Sequence, residues 1–267
     1  MLYELIANLT TPCLRYVRRM EYLYQAIALR GRYQRRSAAW QPHLDKTKAF
    51  VLASVEKCRT RDKVIVLGSG LLLDVPIESL VEKFGEVVLV DVVHLPEVRK
   101  RIKQYNNVRL IQGDITNVAE KLFTSIQQGR NELPLSTPTI PELDEHTSLV
   151  ISLNILSQLA AVPQDYVQKK RPEIRQEQLD VWCDQIREAH YQQLKTLSCD
   201  VCLIADHEYV YKDKTGNVIE QGATVGKVVL SKPDTSWWWE IAPFGEASKE
   251  YSKELFVGAW YLRGQNR

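Results

Sequence analysis

The sequence predicts an α/β protein: a mostly parallel sheet flanked by helices, finished by an antiparallel pair of strands and preceded by a helical N-terminal cap. Three observations carry this. Short β-branched apolar runs such as KVIVL (63–67) and EVVLVD (86–91) read as strands buried on both faces. Strand and helix patterns alternate three times between residues 63 and 128, as right-handed crossovers in a parallel sheet require. Near the C-terminus the pattern changes to aromatic, β-branched segments, SWWWEIAP (236–243) and ELFVGAWYL (254–262), which look antiparallel.

In chain order, residues 1–60 form the cap. Apolar residues recur three and four apart in LIANLTTPCLRYVRRMEYLYQAIAL and again in HLDKTKAFVLASVEKC, with Gly31 separating two helical pieces. After KVIVL comes Gly68; Asp74 reads as a helix cap and Pro76 as a first-turn proline of VPIESLVEKF, which Gly85 closes. EVVLVD and LPEVRKRIKQY form the next strand and helix, and VRLIQGD (108–114) and TNVAEKLFTSIQQ (116–128) the pair after that. Residues 129–147 carry three prolines and read as a loop. SLVISLN (148–154) is a fourth strand. A long charged helix starts near Pro172 and runs through EIRQEQLDVWCDQIREAHYQQLKTL, and CDVCLIAD (199–206) is a fifth strand.

A composition of 45% apolar and 25% charged residues gives 267 residues enough for a sizeable core. No apolar run reaches the roughly 20 residues that span a bilayer. Glu4 and Arg15 interrupt the N-terminus where a signal peptide needs an unbroken apolar stretch. Five scattered cysteines, an odd number, point to a reduced, cytoplasmic protein. Residues 1–62 hold 12 Lys/Arg against 5 Asp/Glu, centred on RGRYQRR (30–36). That excess suits an anionic substrate or nucleic acid, or simply a solvated helix end where cations complement the dipole.

In an open parallel sheet, ligands bind beyond the C-terminal ends of the strands. The first strand delivers Gly68-Ser69-Gly70 there, and the second Asp91, 23 residues after Gly68, near the spacing at which an acid takes ribose hydroxyls. The third delivers Gly113-Asp114, the fourth Asn154 and the fifth Asp206-His207-Glu208. A dinucleotide fingerprint needs glycine at position 73, so that a helix N-terminus can meet a pyrophosphate; Leu73 stands there. The loop therefore suits a nucleoside without phosphate. No metal is expected: Cys199 and Cys202 fall on opposite strand faces, and the adjacent Asp206-His207-Glu208 do not converge on one ion. Trp237, Trp238 and Trp239 read as core and sheet face, with one ring available to line a pocket.

These strand ends resemble the class I S-adenosylmethionine-dependent methyltransferases over residues 63 to 262. The resemblance implies a Rossmann-like, mostly parallel seven-stranded sheet with an antiparallel last strand, on residues 61–267, with S-adenosyl-L-methionine as cofactor. It gives Gly68, Ser69 and Gly70 the methionine part, Asp91 the ribose hydroxyls, and Asp114 with Ile115 the adenine; Asn154 borders the cofactor. NILSQL (154–159) and REAHYQQL (187–194) also look like small-molecule members. The chain departs from the family pattern in Val66, where an acid often precedes the loop, and in Leu72, where the third glycine usually stands. Asp74 then supplies polarity nearer the cofactor.

The implied reaction is an in-line methyl transfer to a small molecule, with Asn154 orienting and Asp206 or His207 accepting a proton. Arg36, Trp40, His43 and Tyr209 are the residues expected to close over the acceptor. The alternatives are an RNA or protein methyltransferase, marked by a basic groove continuous with the pocket, and a non-catalytic binding protein of the same fold. A nucleic-acid partner is the less favoured of these, and no membrane partner is expected.

Overall fold

A computed structural model describes residues 2–265. Helices α1 (Leu2–Thr10), α2 (Arg15–Arg19) and α3 (Tyr22–Lys57) precede the sheet. There follow β1 (Lys63–Leu67), α4 (Ile77–Lys83), β2 (Glu86–Asp91), α5 (Pro96–Ile102), β3 (Val108–Gln112), α6 (Ala119–Gln127) and β4 (Thr147–Leu153). The second half comprises α7 (Ala161–Lys170), α8 (Gln176–Lys195), β5 (Asp200–Asp213), β6 (Val218–Ala223), β7 (Thr235–Ala242) and β8 (Tyr251–Leu262). No helix among the described residues is long and apolar enough to cross a membrane.

The main path of the sheet runs β3-β2-β1-β4-β5-β8-β7. Strands β1 to β5 pair in parallel, and β8 is antiparallel to both β5 and β7. The seven-stranded, Rossmann-like path with its antiparallel last strand is thus as expected. An eighth strand, β6, joins by pairing with an extension of β5 beyond the main sheet. Strand order reverses between β1 and β4, which opens a crevice at their C-terminal ends.

Period-two alternation divides the core. Val64, Val66, Leu89, Ile151 and Cys202 face one layer, with α4, α5 and the C-terminal half of α3; Ile65, Val88, Val150, Cys199 and Leu203 face the other, with α8. Cys199 and Cys202 lie on opposite faces, as their spacing required. A third cluster joins α2 and the N-terminal half of α3, through Tyr16, Val17, Leu23 and Ile27, to α6, α7 and α8.

Gly31 does not separate two helices: α3 continues through it and bends at Arg36, whose φ of −127° and ψ of 21° leave the helical region. Past the bend, Trp40, Leu44, Val51 and Val55 pack with Val64 and Val66 in one core cluster. A division at residue 60 would cut this cluster, since α3 beyond Arg36 shares its core with β1. Trp40 anchors the bend. Its Nε1–H donates to the Ile241 carbonyl at 3.0 Å, and its ring meets Trp239 edge-on at 5.2 Å. Such an aromatic pair contributes about 0.5–1.5 kcal/mol beyond its burial. The helix expected from Pro172 starts at Gln176, with α7 as a separate element before it.

Candidate active site

A cavity of about 330 Å³ lies in the crevice, between the strand ends and α3. Gly68, Gly70, Asp91, Asp114, Ile115 and Asn154 line it from the sheet side, and Trp40 and His43 from α3. Ser69, Arg36, Asp206, His207 and Tyr209 do not line it.

The glycine loop is fastened to β2. The amides of Gly68 and Ser69 both donate to the Val90 carbonyl, at 2.9 and 3.2 Å, and the Gly70 amide donates to Asp91 Oδ2 at 2.8 Å. Leu72 closes the turn by donating to the Ser69 carbonyl at 2.9 Å, with a φ of +58° that a leucine adopts only under strain. Helix α4 begins five residues later, at Ile77, and Leu73 faces the cavity. Helix α4 contributes no residue to the cavity lining, so no helix N-terminus is offered there to a pyrophosphate.

The two loop glycines have different reasons to be glycine. A Cβ on Gly68 would come 2.1 Å from Ile155 Cγ2 and 2.9 Å from the Leu153 carbonyl oxygen, so that position is closed by packing against the end of β4. At Gly70 the nearest heavy atom would be 3.9 Å away, and at Gly113 nothing lies within 4 Å. Both positions present bare backbone to the cavity, which suits close approach by a flat nucleoside. Ser69 turns inward: its side chain is buried and its Oγ has no hydrogen-bond partner.

Asp91 and Asp114 differ sharply. Asp91 is held by the Gly70 amide and, at 3.4 Å, by the Val93 amide. Asp114 Oδ1 accepts from the Thr116 amide and hydroxyl, at 2.9 and 2.6 Å, and Oδ2 from the Val118 and Ala119 amides, at 2.9 and 2.7 Å. A carboxylate has about four acceptor sites, and all of those on Asp114 are filled within the chain. Asp114 fixes the start of α6; its carboxylate is not free for an adenine amine.

At the other end of the cavity, His43 stacks on Trp239 at 3.9 Å with planes 6° apart, and Trp237 Nε1–H donates to its Nδ1 at 3.1 Å. The indole can only donate, so the imidazole proton sits on Nε2. Burial pulls the His43 pKa down to about 3, which keeps the ring neutral. Asn154 ends β4 in a left-handed conformation, φ +52°. Its Nδ2 donates to Asp74 Oδ2 at 2.8 Å and lies 3.4 Å from His43 Nε2. Asp74 is therefore not a helix cap; α4 starts without a side-chain cap, and Asp74 faces the cavity.

The acid–base roles expected of Asp206 and His207 fail on topology. β5 does not end at Asp206; it runs on to Asp213, with Asp206 paired to Val257 and Glu208 to Phe256 across a bulge. Asp206 is buried, accepts from Ser157 Oγ at 2.8 Å, and burial raises its pKa. His207 packs against the edges of Phe256 and Trp260. Tyr209 donates its hydroxyl to Glu220 at 2.8 Å, outside the cavity. Arg36 and Arg35 both bond Glu246, at 2.9 and 2.6 Å, so the basic run is held by the β7–β8 connection; Arg32 is the member that lines the cavity. Asp74 lines the cavity, Trp239 is the ring of the tryptophan run that does so, and Gln158 is a lining residue that the sequence reading missed. For Trp239 the signal was alternation in SWWWEIAP, which buries Trp237 and Trp239 and leaves Trp238 47% exposed.

Strand order, antiparallel β8, and a cavity at the β1/β4 reversal bounded by a glycine loop and an acid ending β2 decide the architecture. The chain has a Rossmann-like α/β fold with an antiparallel C-terminal strand. No protein-family model matches the sequence, and no curated protein matches it. Among solved structures, similarity is found to a DhpI–SAH complex, at 13% identity over 87% of this chain and 94% of that one, with a TM-score of 0.36. A 1,6-didemethyltoxoflavin-N1-methyltransferase from Burkholderia thailandensis, with bound 1,6-didemethyltoxoflavin and S-adenosylhomocysteine, is 10% identical over 89% of this chain and 90% of that one, with a TM-score of 0.36. An rRNA methylase from Streptococcus thermophilus is 12% identical over 80% and 95%, TM-score 0.31.

Proposed function

We propose that this chain is an S-adenosylmethionine-dependent methyltransferase acting on a small-molecule acceptor. The observation that carries the reading is the glycine loop itself. The amides of Gly68, Ser69 and Gly70 are engaged by β2, the following helix begins too late to meet a phosphate, and Asp91 faces the same cavity. A phosphate-free nucleoside with a ribose diol fits that arrangement, and a dinucleotide does not.

S-adenosylmethionine, when bound, supplies a methyl group activated by a sulfonium. The chain's own residues then bind, align and exclude water. Asp91 receives the ribose hydroxyls; Gly70 and Gly113 let the nucleoside lie against bare backbone; Leu71, Leu73 and Ile155 provide apolar walls. Adenine recognition falls to the shape of the cavity beside Ile115, since the Asp114 carboxylate is saturated. On the acceptor side stand Trp40, the His43–Trp239 stack and Arg32, all lining the cavity. An acceptor held here in line with the methyl–sulfur bond would gain the alignment advantage, worth roughly 7–11 kcal/mol in well-oriented systems. The first half of α3 borders the cavity, which supports an enclosed small acceptor over a nucleic-acid groove.

The test is ligand-induced stabilisation. S-adenosylhomocysteine should raise the melting temperature in a concentration-dependent way, by about 2.7 kcal/mol of stabilisation at a hundredfold excess over Kd. NAD should leave it unchanged. Stabilisation by NAD with no response to S-adenosylhomocysteine would refute the proposal.

A further inference from the structure

The cavity holds a second carboxylate that the ribose assignment leaves without a role. Asp74 lies four residues past Gly70, at the other end of the same loop from the Gly70–Asp91 bond. Among the described residues, its one side-chain hydrogen bond is from Asn154 Nδ2 to Oδ2, and no Lys, Arg or His forms an ion pair with it. Burial raises its pKa, and this outweighs the opposing pull of the Asn154 hydrogen bond and of the Lys48 charge, which makes no ion pair with it. β1 supplies no alternative acid, because Val66 is fully buried in the apolar core. The carboxylate is also held in place: Asn154 keeps a left-handed backbone at the end of β4, its amide donating to the Ile204 carbonyl at 2.8 Å and its own carbonyl accepting from Gln158 at 2.6 Å.

The loop thus carries one carboxylate, Asp74, and bonds a second, Asp91 at the end of β2, and both face one cavity. Asp91 is placed for a neutral diol, with one oxygen on the Gly70 amide and the other 3.4 Å from the Val93 amide. Asp74 has a hydrogen bond from Asn154 but, among the described residues, no ion-pair partner, and suits a cation. A ligand that satisfies both has a ribose in its middle and a primary ammonium on a short tail. We propose that Asp74, positioned by Asn154, receives the α-ammonium of the cofactor's amino-acid tail. The assignment rests on the cofactor reading above.

The test compares two ligands that differ only in the tail. S-adenosylhomocysteine carries the ammonium and carboxylate; 5′-methylthioadenosine has the same nucleoside and thioether without them. Both are titrated by calorimetry into wild type, Asp74→Asn, Asp74→Ala and Asp91→Ala. Wild type should prefer S-adenosylhomocysteine. Asp74→Ala should weaken S-adenosylhomocysteine about tenfold or more, leaving 5′-methylthioadenosine within about twofold, so that the preference collapses. Asp74→Asn keeps the shape and should lose most of the preference, which ties the effect to charge. Asp91→Ala should weaken both ligands alike. Unchanged 5′-methylthioadenosine affinity shows that each Asp74 variant has kept its site. An Asp74→Ala protein that binds both ligands as wild type does, or loses both equally, overturns the assignment. If wild type binds neither nucleoside, the cofactor reading itself is wrong, and the assignment falls with it.

Discussion

Asp91 and Asp114 occupy matching places on neighbouring strands, one ending β2 and the other just past β3, and both face the cavity. They differ in what already binds them. Asp114 accepts four hydrogen bonds from residues 116 to 119 and so ties the β3 end to the first turn of α6. Asp91 accepts one short bond, from a glycine amide on a loop that the ligand would also touch. The same residue type at the same kind of strand end is a structural cap in one case and an available acceptor in the other. What separates them is which lone pairs remain open: the chain within five residues fills those of Asp114, whereas the short bond to Asp91 comes from Gly70, 21 residues away.

The largest expected effect breaks the comparison from the Asp114 side. Asp114→Ala strands two amides at the start of α6 as well as the Thr116 amide and hydroxyl. Loss of a helix cap costs up to about 2 kcal/mol and a hydrogen bond to a charged group about 1.5–3 kcal/mol. A combined loss of about 2–3 kcal/mol lowers the melting temperature by roughly 4–12 °C for a chain of this size. Thermal denaturation checks it; a variant that melts with wild type would show that the four bonds contribute nothing.

A smaller effect tests burial without charge pairing, through His190. Its side chain is fully buried behind β4, with Nε2 3.0 Å from Ser152 Oγ, and burial pulls its pKa down to about 4. The folded imidazole therefore stays neutral while the unfolded chain takes up a proton below about pH 6.5. Its contribution is complete above pH 6.5 and is lost as the pH falls toward 4, at about 1.4 kcal/mol per pH unit. His190→Gln retains a partner for Ser152 and has no such titration. The stability gap between wild type and this variant should shrink by roughly 2 kcal/mol between pH 7 and pH 5, measured by urea denaturation. A gap independent of pH would mean that His190 titrates in the fold as it does in the unfolded chain.

The contrast between the two acids also marks how far the sequence could be read. The strands were legible because each buried strand is a continuous apolar run, and β1 and β2 fall on KVIVL and EVVLVD residue for residue. β6 was not, because VIEQGA is almost wholly exposed and has no apolar face to show. The Gly68–Gly70–Asp91 side of the cavity was legible because it is built from residues close in sequence to their strands. Asp206 and His207 misled because an apolar run followed by polar residues looks like a strand end, whereas β5 continues through them as a ribbon with β6 and β8. Gly31 misled in the same way: its conformation is helical, and the bend falls at Arg36, where two arginines reach Glu246 more than two hundred residues away. The Asp74–Asn154 bond joins residues 80 apart and exists only once β1 and β4 are neighbours.

The central claim is that Asp91 is the acid open to a ligand and Asp114 is not. The direct measurement is a calorimetric titration of S-adenosylhomocysteine into wild type, Asp91→Ala and Asp114→Ala, at a temperature where all three are folded by circular dichroism. Losing the ribose hydrogen bonds to a charged group should weaken binding by Asp91→Ala roughly tenfold to a few hundredfold. Asp114→Ala should bind within about threefold of wild type despite its lower stability. A folded Asp91→Ala protein with wild-type affinity, or an Asp114→Ala protein that loses as much as Asp91→Ala, would contradict the account.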